Sequence, residues 1–429
     1  MLTRSEAERI RALDKAHSWH PFTAMDTWCD PAFEQTVIVA GEGPYLIDAE
    51  GRRYLDGNSS IWTNIHGHRH PKINAAIQAQ LEKIAHVSFL GNTHPLAAEL
   101  GARLCGFFPP ETLTRCFFSD DGSTAIEAAL KMSAQYFEMT CQGGRSRFIS
   151  FRAAYHGDTR GAASLGDIPL FRGGLRAQDF PAARVTSLEE LQGITCSDVA
   201  AVVLEPILQG VAGMKIWPAG MLAKLRAWTA EQGIHLILDE VMTGFGRTGT
   251  MFACQQEEVI PDFLCLAKGL TGGYLPMAAT LTKEQIFRAF QGGAERTFYY
   301  GHSYTANPLG CAAAVASLDI FEGEKTLERL AGKMRYLKER LAELQLRHPE
   351  IATRQCGFVA GVDVSPGTGA AVCLAARNHG LLTRPIRDTV VLMLPLCVTT
   401  EQIAESVAAI DSALHEVQSH QMPDLRENE

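Results

Sequence analysis

Lys268 is the residue of this sequence whose chemistry is easiest to specify. It lies on a turn of small residues directly after the apolar run Phe263–Leu266, and Gly269, Gly272 and Gly273 follow it. Lysine is seldom buried without a functional reason, and desolvation lowers its pKa so that the amine becomes nucleophilic. Such an amine can bind an aldehyde covalently and then move protons. We therefore predict that Lys268 holds an aldehyde cofactor.

Asp239 is the second candidate, because it ends the apolar run Leu236–Leu238. A carboxylate at the end of a buried strand either reaches solvent or pairs with a cation. A protonated pyridine nitrogen is such a cation, and a carboxylate beside it keeps the ring a strong electron sink. When this segment is taken alone, an arginine partner or a cap on the next turn explains Asp239 equally well.

Two polar segments offer places for the rest of a phosphorylated ring cofactor. Gly122 and Ser123 lie between an apolar strand and a predicted helix, and a helix N-terminus binds anions through its free backbone N–H groups. Tyr155 follows the run at 147–151 and offers an aromatic face to a planar ring. Taken alone, the first segment is more readily a capped helix without a ligand, and the second an ordinary loop.

The elements that would position these side chains alternate between strands and helices from about residue 66 to residue 320. Apolar runs predict strands at Arg115–Phe118, Arg147–Ser150, Ala200–Leu204, His235–Leu238 and Phe263–Leu266. The alternation predicts an α/β fold with a mostly parallel sheet covered by helices. Such sheets bind ligands at the carboxyl ends of their strands, where the candidates above lie.

The two ends of the chain follow different patterns. Residues 36–56 predict a small antiparallel unit, and the charged helix Thr326–Arg347 leads to a strand at Phe358–Val362. We expect the N- and C-terminal segments to form one smaller α/β domain beside a large cofactor-binding domain. The expected boundaries are 1–65 and 321–429 for the smaller domain and 66–320 for the large one.

Composition excludes some classes of partner. The 429 residues carry a net charge of −9 without clusters of lysine or arginine, so neither nucleic acid nor a membrane is an expected partner. The 11 cysteines lie scattered in apolar runs without a Cys-x-x-Cys pair, which indicates reduced, structural thiols. Without a signal peptide or an apolar run near the roughly 20 residues of a membrane span, a cytoplasmic protein is expected. The polar tail after about Gln421 is expected to be disordered.

In order and spacing, these segments resemble the fold-type I, class III pyridoxal-phosphate aminotransferases over nearly the whole chain. The resemblance implies pyridoxal 5'-phosphate as the cofactor. It assigns the phosphate to Gly122 and Ser123, ring stacking to Tyr155, the ring nitrogen to Asp239 and the covalent link to Lys268. It also implies a homodimer, in which Ser303 completes the phosphate site of the other subunit.

Within this class, three segments resemble the members that aminate 8-amino-7-oxononanoate to 7,8-diaminononanoate in biotin biosynthesis. These segments are Trp19–Met25, Ser59–Gly67 and Thr383–Pro385. The resemblance implies that Arg384 binds the substrate carboxylate through two parallel hydrogen bonds. From the residue alone, a surface ion pair is the alternative for Arg384. The residues implied to line the substrate site are Phe22, Trp62 and Gly301.

The sequence departs from the resemblance around the amino donor. Members that use S-adenosylmethionine typically carry a Trp-Trp pair and a tyrosine where this chain has Ile61-Trp62 and Phe22. These departures favour L-lysine over S-adenosylmethionine. The alternatives are another class III ω-aminotransferase, acting on ornithine, 4-aminobutyrate or a diamine, and a cofactor-binding protein that has kept the fold without catalysis.

Three further patterns resemble known functional motifs, but each lacks a feature that its motif requires. Gly244–Gly249 matches G-x-G-x-x-G but lacks the following helix and acidic strand end of a dinucleotide site. His66, His68 and His70 have no acidic or cysteine ligand at a metal-site spacing, so we expect packing or loop histidines and no metal. Gly301–Thr305 lacks the last glycine of a hydrolase nucleophile elbow.

Overall fold

A computed structural model describes residues 2–140, 142–168, 180 and 182–421 of the chain. The strands, numbered in chain order, are β1 (Ile38–Glu42), β2 (Tyr45–Asp48), β3 (Arg53–Asp56), β4 (Leu113–Ser119), β5 (Arg147–Phe151), β6 (Ala182–Val185), β7 (Val199–Leu204), β8 (Leu208–Gln209), β9 (Lys215–Ile216), β10 (His235–Asp239), β11 (Phe263–Leu266), β12 (Ala278–Lys283), β13 (Ala352–Cys356), β14 (Val359–Asp363), β15 (Leu381–Leu382), β16 (Pro385–Ile386) and β17 (Thr389–Leu392). The helices span Arg4–His17, Met25–Cys29, Pro71–Leu81, Pro95–Cys105, Gly122–Met139, Arg160–Leu165, Leu188–Gln192, Met221–Glu231, Glu284–Ala289, Pro308–Gly323, Thr326–Arg347, Gly369–Asn378 and Thr400–Gln421. Short turns of helix lie at Ser59–Trp62, Ala253–Glu257, Lys268–Thr271 and Ala294–Arg296.

Seven strands form the central sheet, in the order β4-β12-β11-β10-β7-β5-β6. The five strands from β11 to β6 in that order pair in parallel. Every residue of β7, β10 and β11 is buried, because strands of a parallel sheet are covered on both faces and read as continuous apolar runs. The expected mostly parallel α/β sheet is confirmed.

Strand β12 is a part of the central sheet that the sequence pattern does not predict. It lies between β11 and β4 and pairs antiparallel with both. Its sequence, Ala-Ala-Thr-Leu-Thr-Lys, shows neither a continuous apolar run nor a clear alternation of apolar and polar residues. The strand is buried because it lies between two other strands of the sheet. Because β12 is reversed, β4 points in the same direction as the parallel strands, and its carboxyl end reaches the same edge of the sheet.

The N- and C-terminal segments meet in a second sheet, ordered β1-β2-β3-β15. Strands β1 to β3 form the expected antiparallel unit, and β15 from the C-terminal segment pairs in parallel with β3. A third sheet, ordered β13-β14-β17-β16, lies in the C-terminal segment. The helix predicted at Thr326–Arg347 has these bounds, and the strand predicted from Phe358 begins one residue later.

The ten cysteines of the described ranges are all free thiols, and most of them are buried or half-buried. In the same ranges, no helix is both long and apolar enough to cross a membrane. The tail predicted to be disordered after about Gln421 lies outside the described residues.

Candidate active site

The carboxyl ends of five strands of the central sheet open into one cavity of about 440 Å³. Each of these strands is followed or ended by a polar side chain that lines the cavity. They are Ser123 beyond β4, Tyr155 and His156 beyond β5, Glu205 after β7, Asp239 at the end of β10 and Lys268 after β11. The sheet therefore brings together four residues that the sequence singles out from separate segments, Ser123, Tyr155, Asp239 and Lys268, and adds two that it does not, His156 and Glu205.

Lys268 begins a turn of 3-10 helix just after β11, and its φ is 42°. Its Nζ atom lies 4.4 Å from the centre of the Trp62 ring. Burial lowers the pKa of Lys268 from its usual value to about 8, although the charges of Asp239 and Glu205 act in the opposite direction. Near neutral pH an appreciable fraction of the amine is therefore unprotonated, as a nucleophile must be.

Asp239 pairs with His156 in buried surroundings. His156 Nδ1 lies 2.7 Å from Asp239 Oδ2, and the backbone N–H of Val241 donates to Asp239 Oδ1 at 3.1 Å. Burial opposes the imidazolium, but the hydrogen bond and charge of Asp239 outweigh it and raise the pKa of His156. His156 thus gives Asp239 a fixed hydrogen-bond partner at the edge of the cavity.

Glu205 is a buried carboxyl group of this cavity that the sequence analysis missed. Its carboxyl oxygens accept from the backbone N–H groups of Gly210 at 2.9 Å and Tyr155 at 3.5 Å. Burial raises the pKa of Glu205 to about 7, although the neighbouring His156 lowers it. The available signal was its position directly after the apolar strand β7, the same rule that identifies Asp239. His156 was missed for a different reason, since its partner lies on another strand.

The helix Gly122–Met139 begins at the cavity, where Asp121 caps it with its side chain. Gly157 passes this helix start with φ of 126°, and a Cβ on Gly157 would lie 2.1 Å from Ser123 Oγ. Only glycine combines that backbone conformation with that contact. The backbone N–H of Asp158 donates to Ser123 Oγ at 3.1 Å. The N-terminal end of the helix dipole faces the cavity here and favours an anion such as phosphate.

Tyr155 is half-buried between this cavity and a second one, and it lines both. Its hydroxyl donates to Asp158 Oδ2 at 2.7 Å, which restricts the ring. Burial and then the hydrogen bond to Asp158 raise the pKa of the Tyr155 phenol, so it stays neutral at physiological pH. The structure therefore places this aromatic face where it can contact a planar ring.

The second cavity, of about 340 Å³, shares Trp62, Tyr155, Val211 and Lys268 with the first. Apolar and aromatic side chains dominate its lining, and its charged members besides Lys268 are Arg384 and Arg387. Within the part of the chain that the structure describes, Arg384 has no carboxylate partner. The alternative of a surface ion pair for Arg384 therefore finds no support in the described residues.

The remaining predicted substrate residues lie at different depths. Phe22 lines the second cavity and is 55% exposed, whereas Trp62 lines both cavities and is buried. Gly301 and Ser303 line neither cavity. They are exposed in a loop whose His302 pairs with Asp120, a residue of the first cavity, at 3.3 Å. In a single chain Ser303 does not complete the phosphate site, so its predicted role requires a second subunit.

The other patterns of the sequence have structural partners. The three alternating histidines have different polar partners. His66 contacts Ser317, His68 contacts Asp56 and His70 contacts Glu324. Arg247, in the glycine-rich segment at 244–249, is fully buried and donates to the backbone carbonyls of Asn64 at 2.8 Å and Leu394 at 2.7 Å. This segment therefore connects the N- and C-terminal parts of the chain through Arg247.

The first cavity fits a phosphorylated pyridine aldehyde. The close approach of Gly157 to Ser123 leaves the helix start without a covering side chain, as a phosphate requires. Lys268 supplies an amine with a lowered pKa, and Asp239 supplies a carboxylate already oriented by His156. An anion site, a nucleophilic amine and a carboxylate at the end of a strand are the three groups that such a cofactor needs.

Comparison with known proteins places the chain among enzymes of this kind. The family model for class-III aminotransferases matches residues 28–414. The chain is 41% identical to the adenosylmethionine-8-amino-7-oxononanoate aminotransferase of Geobacter sulfurreducens, over 96% of this chain and 98% of that protein. A protein of the same name from Nitratidesulfovibrio vulgaris is 43% identical, over 97% of this chain and 83% of that protein.

Solved structures agree with these matches. The crystal structure of adenosylmethionine-8-amino-7-oxononanoate aminotransferase from Methanocaldococcus jannaschii superposes with a TM-score of 0.90 and 36% identity, covering 95% of this chain and 99% of that one. An amine transaminase from an uncultivated Pseudomonas species, with pyridoxal phosphate bound, gives a TM-score of 0.86 and 33% identity over 93% and 98% of the two chains. The expected fold-type I architecture is confirmed.

Proposed function

The chain belongs to the class-III aminotransferase family, and on that basis we propose that it aminates 8-amino-7-oxononanoate to 7,8-diaminononanoate, a reaction of biotin biosynthesis. The observation that carries this proposal is Arg384, which has no carboxylate partner among the described residues and lines an apolar cavity that continues to Lys268. The substrate has the matching form, because an apolar methylene chain separates its carboxylate from the ketone. The names of the curated relatives support the same substrate.

The protein is a pyridoxal-phosphate-dependent aminotransferase. When bound, pyridoxal phosphate supplies an aldehyde that takes up the amino group and a ring that withdraws electrons from the carbon losing a proton. Gly122 and Ser123 are proposed to hold the phosphate at the helix start, and Tyr155 to contact the ring face. Asp239 is proposed to pair with the ring nitrogen, where its negative charge favours the protonated, electron-withdrawing form.

Lys268 is proposed to have two tasks. Its unprotonated amine, favoured by a pKa of about 8, links the cofactor to the chain. After a substrate amine takes its place, Nζ would move the proton between the substrate carbon that bears the amino group and the former aldehyde carbon of the cofactor, in opposite directions in the two half-reactions. The centre of the Trp62 ring lies 4.4 Å from Nζ, so the indole covers one side of this atom.

The amino donor is proposed to be S-adenosylmethionine or L-lysine. Both are α-amino acids whose carboxylate could pair with the arginines of the second cavity. Ile61 and Phe22 favour lysine, as argued from the sequence. The names of the relatives favour S-adenosylmethionine.

We further propose that the enzyme acts as a homodimer in the cytoplasm. Tyr299 and Tyr304, in the loop that carries Ser303, are 72% and 57% exposed. Large exposed aromatic side chains are typical of protein interfaces. A second subunit covering this loop would bring Ser303 toward a neighbouring phosphate site.

The proposed substrate is tested by comparing kcat/KM for 8-amino-7-oxononanoate with the values for ornithine, 4-aminobutyrate and a linear diamine, each with a matched co-substrate. The oxononanoate is expected to be preferred by at least about tenfold, which corresponds to roughly 1.4 kcal/mol in the transition state. Preference for one of the ω-amines would assign the chain to the other branch of the family.

A further inference from the structure

The segment Ser59–Trp62 is a turn of left-handed helix built without glycine. Its four residues have φ values of 46°, 49°, 62° and 71° in chain order. The backbone N–H of Trp62 donates to the Asn58 carbonyl at 2.8 Å, and that of Thr63 donates to the Ser59 carbonyl at 2.9 Å, in the spacing of a helical turn. The left-handed conformation disfavours each L-residue by roughly a factor of 5–30, and most strongly a β-branched residue such as Ile61.

Asp56 supplies contacts that hold this turn. Asp56 is 2% exposed, and its carboxylate accepts from the backbone N–H of Ser60 and from the Ser60 hydroxyl, both at 2.8 Å. His68 Nε2 lies 3.0 Å from the same carboxylate. A buried carboxylate that accepts several hydrogen bonds stabilises whatever backbone conformation presents the donors to it.

Both ends of the turn contact the C-terminal segment. The Ser59 hydroxyl donates to the Met393 carbonyl at 2.6 Å. The Trp62 ring packs among buried residues from several elements, and a Cβ on Gly210 would lie 3.4 Å from it. The indole is therefore held by packing contacts from several elements, and its position depends on the backbone conformation of the turn.

This turn contributes directly to both cavities of the active site. Trp62 lines both, with its ring 4.4 Å from Lys268 Nζ, and Ile61 lines the second cavity at 45% exposure. A right-handed turn of the same residues would direct the two side chains differently, because the hand of a helix sets the direction of each Cα–Cβ bond. Backbone strain of this kind clusters at functional sites when the surrounding contacts determine it.

We propose that Asp56 is a positioning residue of this enzyme: by holding Ser59–Trp62 left-handed through Ser60, it fixes Trp62 beside Lys268 and Ile61 in the wall of the substrate cavity. Asp56 itself lines neither cavity. It acts on the reaction through the turn. The consequence for substrate binding rests on the proposed function, whereas the strain of the turn does not.

The strain is tested by comparing the urea midpoints of the Ile61→Gly and Ile61→Ala variants of the holoenzyme. Both changes remove the same exposed side chain, but only glycine is free of the left-handed penalty. The glycine variant is expected to have the more favourable folding equilibrium, by about tenfold. In ordinary right-handed helix alanine is the more stabilising residue, so alanine equal to or better than glycine would overturn the proposal.

The role of Asp56 is tested by repeating this comparison in an Asp56→Asn background. If Asp56 holds the turn, its loss lets the turn relax, and the advantage of glycine over alanine is expected to shrink by at least about threefold. An undiminished advantage would show that other contacts determine the turn. Asp48→Asn is the matched control, because Asp48 is buried on the neighbouring strand and bonds Tyr54 and Arg52 instead. It should leave the glycine advantage unchanged.

The consequence for substrate is tested by the KM and kcat of the same two variants. Asp56→Asn is expected to raise the KM for 8-amino-7-oxononanoate by about tenfold with a smaller change in kcat, because the cavity wall moves while Lys268 and Asp239 stay. Asp48→Asn is expected to change KM less than twofold. Equal effects of the two variants on KM would overturn the positioning role. A wild-type enzyme that does not turn over this substrate would instead contradict the proposed function and leave the two unfolding comparisons valid.

Discussion

At the scale of single residues, the balance of charges around Lys268 determines when its amine can react. Burial lowers its pKa to about 8, against the opposing charges of Asp239 and Glu205. Because the pKa is lowered, the reactive unprotonated fraction grows as pH rises through about 8 and saturates above it. The rate at which apo-enzyme acquires the visible absorbance of bound cofactor should follow this curve.

Glu205→Gln should move that curve to lower pH, because the charge of Glu205 raises the pKa of Lys268 and its removal leaves the desolvation effect less opposed. Glu240→Gln is the matched control. Glu240 is also buried, but its carboxyl oxygens accept from the backbone N–H groups of Ala253 and Cys254. A shift to higher pH in Glu205→Gln would contradict this account of the amine.

Asp239 should matter for the rate much more than for folding. Asp239→Asn removes the negative charge proposed to favour the electron-withdrawing ring, and we expect kcat to fall by roughly 10²–10³-fold. Asp262→Asn is the comparison, since Asp262 is likewise buried at the sheet but pairs with Arg226 and Lys283. That variant should lose stability and keep most of kcat. The reverse result would place Asp239 among purely structural carboxylates.

Arg384 should recognise a carboxylate and little else. Arg384→Ala is expected to weaken binding of 8-amino-7-oxononanoate by roughly 1.5–3 kcal/mol, the range for a hydrogen bond to a charged group. The methyl ester of the substrate supplies the matching change on the other side of the contact. The affinity of the wild type for the ester should equal the affinity of Arg384→Ala for the free acid. The ester should bind Arg384→Ala no more weakly than it binds the wild type. If Arg384→Ala instead weakens binding of the ester as much as it weakens binding of the free acid, a different residue binds the carboxylate.

The residues of the site were predictable from the sequence where one strand end carries the information. Lys268 and Asp239 each follow an apolar run, and the structure brings both to one cavity. His156 could not be assigned in the same way, because its significance arises from the 2.7 Å contact with Asp239 on another strand. A sequence pattern shows which residues end strands, whereas the pairs they form depend on the order of strands in the sheet.

At the scale of elements, the loop after β5 has to pass very close to the start of the helix Gly122–Met139. Gly157→Ala should therefore destabilise the protein by more than about 1 kcal/mol and weaken cofactor binding, because φ is 126° and the new Cβ would meet Ser123. Gly144→Ala is the control, since Gly144 also has positive φ, at 103°, but open space around it. Gly144→Ala should destabilise the protein without weakening cofactor binding. Equal cofactor affinity in the two variants would show that the contact with Ser123 does not shape the phosphate site.

Most elements followed from hydrophobic pattern, and those that did not have a physical reason. Strands β7, β10 and β11 are buried throughout and read as unbroken apolar runs. Strand β12 has a weak pattern because its neighbours in the sheet provide its burial. The left-handed turn Ser59–Trp62 could not be predicted, because its residue types disfavour that conformation and side-chain contacts of the folded chain, such as Ser60 with Asp56 and Ser59 with Met393, hold it.

At the scale of the whole molecule, the position of Ser303 outside both cavities leads to the prediction of a shared site. If each phosphate site takes Ser303 from the other subunit, Lys268→Ala and Ser303→Tyr each inactivate a different half of the same site. Mixing the two inactive variants under conditions of subunit exchange should restore activity, up to about a quarter of the wild-type sites for random pairing in a dimer. No recovery, despite exchange shown by native mass spectrometry, would place Ser303 outside the phosphate site.

The central claim is that the enzyme transfers an amino group to 8-amino-7-oxononanoate in a reaction that requires Lys268, and product analysis by mass spectrometry tests it most directly. Purified holoenzyme is incubated with this ketone and with S-adenosylmethionine or L-lysine in separate reactions, alongside the Lys268→Ala variant. We predict that 7,8-diaminononanoate forms with one of the donors and that the variant forms none. The claim is contradicted if the wild type deaminates a donor but leaves the oxononanoate unchanged, or if the variant forms the diamine at the wild-type rate.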